Sequence, residues 1–446
     1  MRYEDLAGRA VVVWGTGREG RAAHAELTGR GVDVVGYAVT GGEAPADLAD
    51  LTATGEAGLA RMLAADVVVK SPGVPHTSPE YVALRQAGVA VTSLTDLWLS
   101  ADPDRVVGVT GTKGKSTTSA IVRHLLEAAG RTASLVGNGG TPVTADDASA
   151  SEIAVTEVSS YQAAELSSSP RVAVVTCLYP EHLPWHGGFE AYAADKLNLL
   201  AHGTELVVLP HAHDDLAERV RAAVGEDTVL VTPADAGITV TDEAVRWSGV
   251  GTVAAADLQV HGRHNLVNVA LALTAVALGF DLPEEQRPAV LAATTTFAAL
   301  AHRLETIASA DGRRWVDDSL ATAPEAVVAA LGSFAGQRVA LVLGGADRGL
   351  DMSPLRTHLA GPAGDDVRVL AIGPAGTRWV EEGGPAVRHT HLAGTWAGAV
   401  AALHDPTGPA GPASTDVVLL SPGAPSFDEF ASYEERSAAF RVAAQG

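Results

Sequence analysis

Short runs of β-branched residues recur along the chain, separated by alanine-rich stretches of helical composition, and that rhythm predicts βαβ units with mostly parallel sheets. Three blocks follow from it. In the first, an apolar strand over 9–14 runs into the glycine cluster Gly15-Thr16-Gly17-Arg18-Glu19-Gly20 and a helix ending near Arg30, with further strands over 32–37 and 66–71. The second opens with the strand in VVGVTGTKGKSTT (106–118), continues through EIAVTEVSS, RVAVVTCLYPEH and ELVVLP, and ends in an alanine- and leucine-rich helix over 265–278. The third opens at His302-Arg303 and carries strands over 314–317, 338–344, 367–373 and 416–421. Proline and glycine cluster at 405–414, a surface loop before the last strand. The expected organisation is α/β in three domains, 1–103, 104–301 and 302–446.

Composition supports that division: 446 residues suit about three domains at the usual ~150 each. A hydrophobic fraction of 47% with 19% charged residues is that of a globular protein, and no apolar run reaches the roughly 18 residues of a membrane span, so no membrane insertion is expected. The start, MRYEDLAGRAVVVWG, lacks the basic and apolar regions of a signal peptide, and the single Cys177 excludes an internal disulfide; a cytoplasmic location is expected. The net charge of −22 disfavours nucleic acid as a partner, so anionic substrates must be met by local positive sites.

The most informative chemistry lies in 106–118. Gly111 and Gly114 let backbone N–H groups approach phosphate oxygens, and Lys115 and Ser116 open the following helix. Gly111, Thr112, Lys113, Gly114, Lys115, Ser116 and Thr117 therefore form a candidate ATP site, Lys115 neutralising phosphate and the Ser116 hydroxyl holding Mg2+. Val109 stands where the general P-loop pattern has its first glycine. Gly15, Thr16 and Gly17 belong to a dinucleotide-type turn, but the second strand ends Val35-Gly36-Tyr37-Ala38 without the acid that NAD binding wants. The turn Ser71-Pro72-Gly73-Val74-Pro75 is expected to line the same crevice. Glu157, at the end of its strand, is placed to complete Mg2+ coordination. His182 and, fourteen residues on, Lys196 read as a structural histidine and a surface lysine when taken alone; their order after the P-loop makes them candidates. Asn265 and Asn268 share a helical face, within reach of a planar ligand or of each other. Arg303 can grip a phosphoryl group, and Asp318 ribose hydroxyls or a metal-bound water.

The ordered series GTKGKSTT, VGNGG, EVSSYQ, PEHLPWHG, DKLNL, GRHNLVN, HRLE, DDSLAT, GGADRG and LLSPGAPSFDEF resembles the Mur ligase superfamily over nearly the whole chain, and within it the MurD type. The resemblance implies a Rossmann-like UDP-binding domain, a central ATPase, and a Rossmann-like C-terminal domain that closes over the nucleotide. It implies an ATP-dependent acid–amino-acid ligase of peptidoglycan precursor synthesis, acting as a monomer on UDP-N-acetylmuramoyl-L-alanine and glutamate through an acyl phosphate. By position, Gly73 and Asn138 would contact the UDP-sugar substrate. Asn265, Asn268, Arg303 and Asp318 would hold the nucleotide, and Thr322, Arg348, Ser426, Phe427 and Tyr433 would surround glutamate. Two Mg2+ sites are implied, with Glu157 and His182 as ligands and Lys196 as a carbamate.

Three departures stand out: Tyr37-Ala38 where the family often has an acid meeting uracil, Leu320 within DSLAT where a lysine is common, and Arg348 where a lysine is usual. These, with EVSSYQ and LYPEHLPWHG, favour L-glutamate over D-glutamate. The alternatives are a related ligase for another carboxylate, such as a folylpolyglutamate synthetase-like enzyme, and a P-loop ATP-binding protein without ligase activity. No general base is assigned; His182 is a candidate, though a metal ligand makes a poor base.

Overall fold

The sequence Val11–Trp14 is buried at all four positions, as a strand covered on both faces must be. It is the centre of the first sheet in the computed structural model, which describes residues 1–446 apart from 42, 139, 140, 146–149 and 299, and the side chain of residue 325. That sheet runs in the order β3-β2-β1-β4-β5, with β1 Val11–Trp14, β2 Val34–Val39, β3 Thr52–Thr54, β4 Val67–Lys70 and β5 Ala90–Thr92, all parallel. Its order reverses between β1 and β4, so the turns after these two strands flank one crevice.

The central sheet, β11-β10-β9-β6-β8-β7, is also wholly parallel; its strands are β6 Val106–Thr110, β7 Ala133–Gly137, β8 Ile153–Glu157, β9 Val172–Val175, β10 Leu206–Val208 and β11 Val229–Val231. The chain passes from one side of β6 to the other between β8 and β9, which makes the loops after β6 and β9 neighbours. A small antiparallel sheet follows, β12 Ile238–Val240, β13 Ala244–Trp247 and β14 Gly251–Ala254, departing from the parallel rhythm expected. Its strands are three or four residues long and joined by short turns, too short for the crossover a parallel pair needs.

The last sheet is ordered β15-β16-β20-β17-β18-β19, from β15 Glu305–Ile307, β16 Arg314–Asp317, β17 Val339–Gly344, β18 Val367–Ile372, β19 Thr390–Gly394 and β20 Val417–Leu420. Only β15 is antiparallel to its neighbour. The chain forms two compact units, Met1–Ala255 with Leu266–Thr295, and Ala256–Asn265 with Thr296–Gly446. The three large sheets have apolar cores of their own, such as Val11, Val13 and Leu27 in the first, Leu99, Val106, Val175 and Leu199 in the central one, and Val316, Leu341 and Leu419 in the last. Among the described residues no helix is long and apolar enough to cross a membrane.

Candidate functional site

The loop after β6 adopts the conformation its glycines allow. Gly111 has φ +143° and Gly114 φ +85°; a Cβ on Gly111 would fall 1.9 Å from Thr176 Oγ1, and one on Gly114 would fall 2.8 Å from Asn268 Oδ1. Both positions thus require glycine, and the helix Lys115–Ala128 begins directly after Gly114, with Ser116 in its first turn. The loop is fastened to the segment after β9: Thr112 N–H donates to Cys177 O at 2.9 Å, and the Thr112 hydroxyl donates to Tyr179 O at 3.1 Å while lying 2.7 Å from Tyr192 Oη. Lys113 reaches the same segment, its Nζ 2.6 Å from Glu181 Oε1.

Two ammonium groups meet at one carbonyl. Lys115 Nζ donates to Gly111 O at 3.0 Å and Thr112 O at 3.2 Å, and Lys196 Nζ donates to the same Gly111 O at 3.0 Å. Lys196 comes from the helix Phe189–Leu197, is 2% exposed, and lies 5.0 Å from the centre of the Tyr192 ring. Burial, and next the charge of Lys115, push its amine down to about 7. The reading of Lys196 as a surface lysine is therefore wrong: the first apolar turns of its helix carry it inward beside Tyr192.

Glu157 ends β8, next to β6, and is buried. Its Oε1 accepts from Asn138 Nδ2 at 2.7 Å, and its backbone carbonyl accepts from Asn138 N–H at 2.9 Å, so the ends of β7 and β8 are locked together. Asn138 stands within VGNGG, whose Gly139 and Gly140 lie outside the described residues. His182 sits in the left-handed region at φ 55°, tilted against Tyr161 at 5.0 Å. Burial lowers its pKa against the pull of Glu181, which favours the neutral imidazole, the form that ligates metals. The buried Glu157 carboxylate and the helix-start Ser116 hydroxyl are hard oxygen donors beside a glycine phosphate loop, the kind Mg2+ takes.

In the first sheet, Gly15 has φ +114°, and a Cβ there would strike Ser71 Oγ at 2.4 Å; Ser71 N–H donates to Trp14 O at 2.9 Å. The turns carrying Gly15, Thr16 and Gly17 and carrying Gly73 are thus side by side, as the switch point predicts. Asn268, on the helix Arg263–Gly279, packs on Gly114, whereas the Asn265 amide donates to His261 O at 2.7 Å.

In the second unit, Asp318 follows β16 and is buried. Its carboxylate accepts from Ser421 Oγ at 2.8 Å and from Leu304 N–H at 3.3 Å, and burial raises its pKa to about 7. Arg303 is exposed between His302 at φ 63° and Leu304 at φ 49°, conformations costing about 1–2 kcal/mol each for such residues. The turn is held by acids: His302 Nδ1 lies 2.8 Å from Asp317, and His302 N–H donates to Glu305 Oε2 at 3.0 Å. His302, Glu305 and Asp317 place ligand atoms within 4.8 Å of one another, but Arg441 lies 2.6 Å from Glu305 and 3.7 Å from Asp317, and Ser437 bonds Asp317, so both acids already have partners in the protein. Arg436, buried and unremarked in the sequence, donates to Ser319 Oγ, Ser319 O and Ala424 O, tying the loop after β16 to the loop after β20. Ser319 Oγ in turn donates to Tyr433 O at 3.1 Å. Ser426 is buried and Phe427 is exposed on the latter loop. Thr322 and Arg348 are exposed, and among the described residues no hydrogen bond joins them to Ser426, Phe427 or Tyr433.

Residues 109–276 match the family model described as the Mur ligase middle domain. The chain is 42% identical to UDP-N-acetylmuramoyl-L-alanine--L-glutamate ligase of Micromonospora sp., covering 99% of this chain and 98% of that one. It is 43% identical to the protein of the same name from Salinispora tropica, covering 99% of each. Among solved structures, UDP-N-acetylmuramate-alanine ligase MurC from Thermotoga maritima has the same fold, with a TM-score of 0.56 at 18% identity over 97% of this chain and 98% of that one. With likeness above 40% over its full length, this chain belongs to the Mur ligase family.

Proposed function

We propose that this protein joins L-glutamate to the L-alanyl carboxylate of UDP-N-acetylmuramoyl-L-alanine with hydrolysis of ATP, a step of peptidoglycan precursor synthesis in the cytoplasm. The substrate pair is the one its full-length relatives are named for. The observation that carries the chemistry is the meeting of Lys115 and Lys196 at the Gly111 carbonyl of the phosphate loop.

A carboxylate is a poor electrophile, so the reaction begins with attack of a carboxylate oxygen on the γ-phosphorus of ATP and departure of ADP. Gly111 to Thr117 bind the phosphates, and Lys115 offsets charge on the group in transit. Ser116 and Glu157 would hold one Mg2+, and His182 with a Lys196 carbamate a second; Mg2+ supplies positive charge that offsets that of the phosphates. Glutamate's neutral amine then attacks the acyl phosphate carbon, phosphate leaves, and the nitrogen loses its proton to give the amide.

Asn265, Asn268, Arg303 and Asp318 are assigned to the nucleotide, and Gly15, Thr16, Gly17, Gly73 and Asn138 to the UDP-sugar. Thr322, Arg348, Ser426, Phe427 and Tyr433 are assigned to glutamate, within functional domains 1–103, 104–301 and 302–446. The test is phosphate release in mixtures lacking one substrate at a time. The reading requires release only with ATP, UDP-N-acetylmuramoyl-L-alanine and glutamate all present; release from ATP alone at the full rate would replace it with a simple ATPase.

A further inference from the structure

Lys70 is the last residue of β4, and its side chain is wholly buried although nothing in the reaction above uses it. Its Nζ donates to Val74 O at 2.9 Å and lies 3.3 Å from Glu165 Oε1. The ammonium also faces the rings of Trp185 at 5.5 Å and Tyr81 at 6.0 Å. Glu165 is almost as deeply buried, and its Oε1 also bonds His76 Nε2. His76 stacks on Tyr81 at 4.5 Å, and Trp185 sends its Nε1–H to Gly73 O at 3.2 Å. Every one of these contacts ends on the turn that follows β4 or on its flank.

The consequence is an orientation of peptide dipoles. Two successive carbonyls are held from different sides, that of Gly73 at the surface by the Trp185 indole and that of Val74 by the buried Lys70 ammonium. Ser71 N–H is fixed to Trp14 O, and Val74 N–H closes the turn on Ser71 O at 3.2 Å. The Gly73 N–H has no protein acceptor among the described residues, and a Cβ on Gly73 would meet nothing within 4 Å. Ser71 Oγ, against Gly15, is a buried hydroxyl without a protein partner among the described residues. The buried Ser71 hydroxyl packed on Gly15 and the Gly73 N–H are two donors at a strand-end crevice that the protein itself leaves unused among the described residues.

We infer that Lys70, clamped by Glu165, is a positioning residue for the UDP-sugar substrate: it fixes the 71–74 turn so that its donors face the ligand, without touching the ligand itself. The inference rests on the substrate reading given above. It separates Lys70 from a core residue serving stability alone, because the bond to Val74 O sets the shape of one turn. Glu165 balances the buried ammonium, and Val74 O is the acceptor through which that pair grips the turn.

The test is steady-state kinetics of Lys70→Met and Trp185→Phe, the second removing the Gly73 carbonyl's donor while keeping an aromatic ring against Lys70 and His76. Each is expected to raise KM for UDP-N-acetylmuramoyl-L-alanine about tenfold, the equivalent of one lost hydrogen bond on a bound turn, with KM for ATP and glutamate and kcat within about twofold of wild type. Should Lys70→Met fail to fold, Glu165→Gln, which weakens the clamp on Lys70, takes its place with the same expected rise. Unchanged KM in a folded variant, or an equal rise for all three substrates, overturns the inference. Wild-type turnover is measured beside them: if wild type does not use the UDP-sugar, the substrate reading fails, and if it does while the variants match it, only the role of Lys70 fails.

Discussion

Lys196→Ala is the perturbation whose magnitude the structure sets most directly. With the ordinary lysine value of 10.5, about one amine in 3,000 is neutral at pH 7; at about 7, roughly half are, a gain of about 10³ in the nucleophilic form. A neutral amine attacks the carbon of CO2 and, losing a proton, becomes a carbamate, so the group beside Lys115 changes from a repelling cation to an attracting anion. Removing it is expected to lower kcat by about 10²–10³, the scale for one preorganised electrostatic group. The fold should survive, because the Gly111 carbonyl keeps Lys115 as a donor when Lys196 is lost. The assays are phosphate release, with and without acetate or formate, and 13C NMR of enzyme equilibrated with labelled bicarbonate. The expected result is a carbamate resonance in wild type that Lys196→Ala lacks, and partial recovery of the variant with the small acids. Full activity of Lys196→Ala without added acid would falsify the carbamate and leave Lys196 as a packing residue.

Three further outcomes follow from the same geometry. Lys115→Met should lose about 10²–10³ in kcat with little change in melting temperature, since its bonds are to loop carbonyls that a mutant loop can hydrate; a loss confined to KM for glutamate would contradict its phosphate role. Arg348→Ala should raise KM for glutamate alone by about 10–100-fold, the worth of a charge-assisted bond, as read by initial rates at saturating ATP; an effect on ATP instead would reassign it. Asp318 is raised from 3.8 to about 7 by burial, so between those values the folded protein holds a proton the unfolded chain has released, and stability falls as pH rises. Asp318→Asn should therefore flatten the melting-temperature profile of the ligand-free protein across that window, and parallel profiles would refute the shift.

The three large, mostly parallel sheets were legible because their central strands are β-branched runs, as in Val11–Trp14 and Val106–Thr110, which suit a doubly covered sheet. The antiparallel sheet over 238–254 escaped although alternation is present in it: Val245 and Trp247 point inward while Arg246 points out. Its strands were too short to stand out against the surrounding helical rhythm. In the candidate site, Gly111, Gly114 and Lys115 could be read locally, since loop, glycine and helix start are adjacent in sequence. Lys196, Lys70 and Arg436 could not, because what distinguishes each is burial against partners far away in the chain, Gly111, Glu165 and Ser319, a property of the tertiary packing. The pairing of Ser71 with Gly15 lies in between: both turns were visible, and only strand order brings them together.

An ATP-driven amide bond between UDP-N-acetylmuramoyl-L-alanine and L-glutamate has a direct signature. Purified enzyme with ATP, Mg2+ and the UDP-sugar, given each glutamate enantiomer in turn, should release one phosphate per new glutamyl product identified by mass spectrometry, with the L form far ahead of the D form. Product with D-glutamate alone would overturn the stereochemical assignment, and no product with either would overturn the substrate assignment itself.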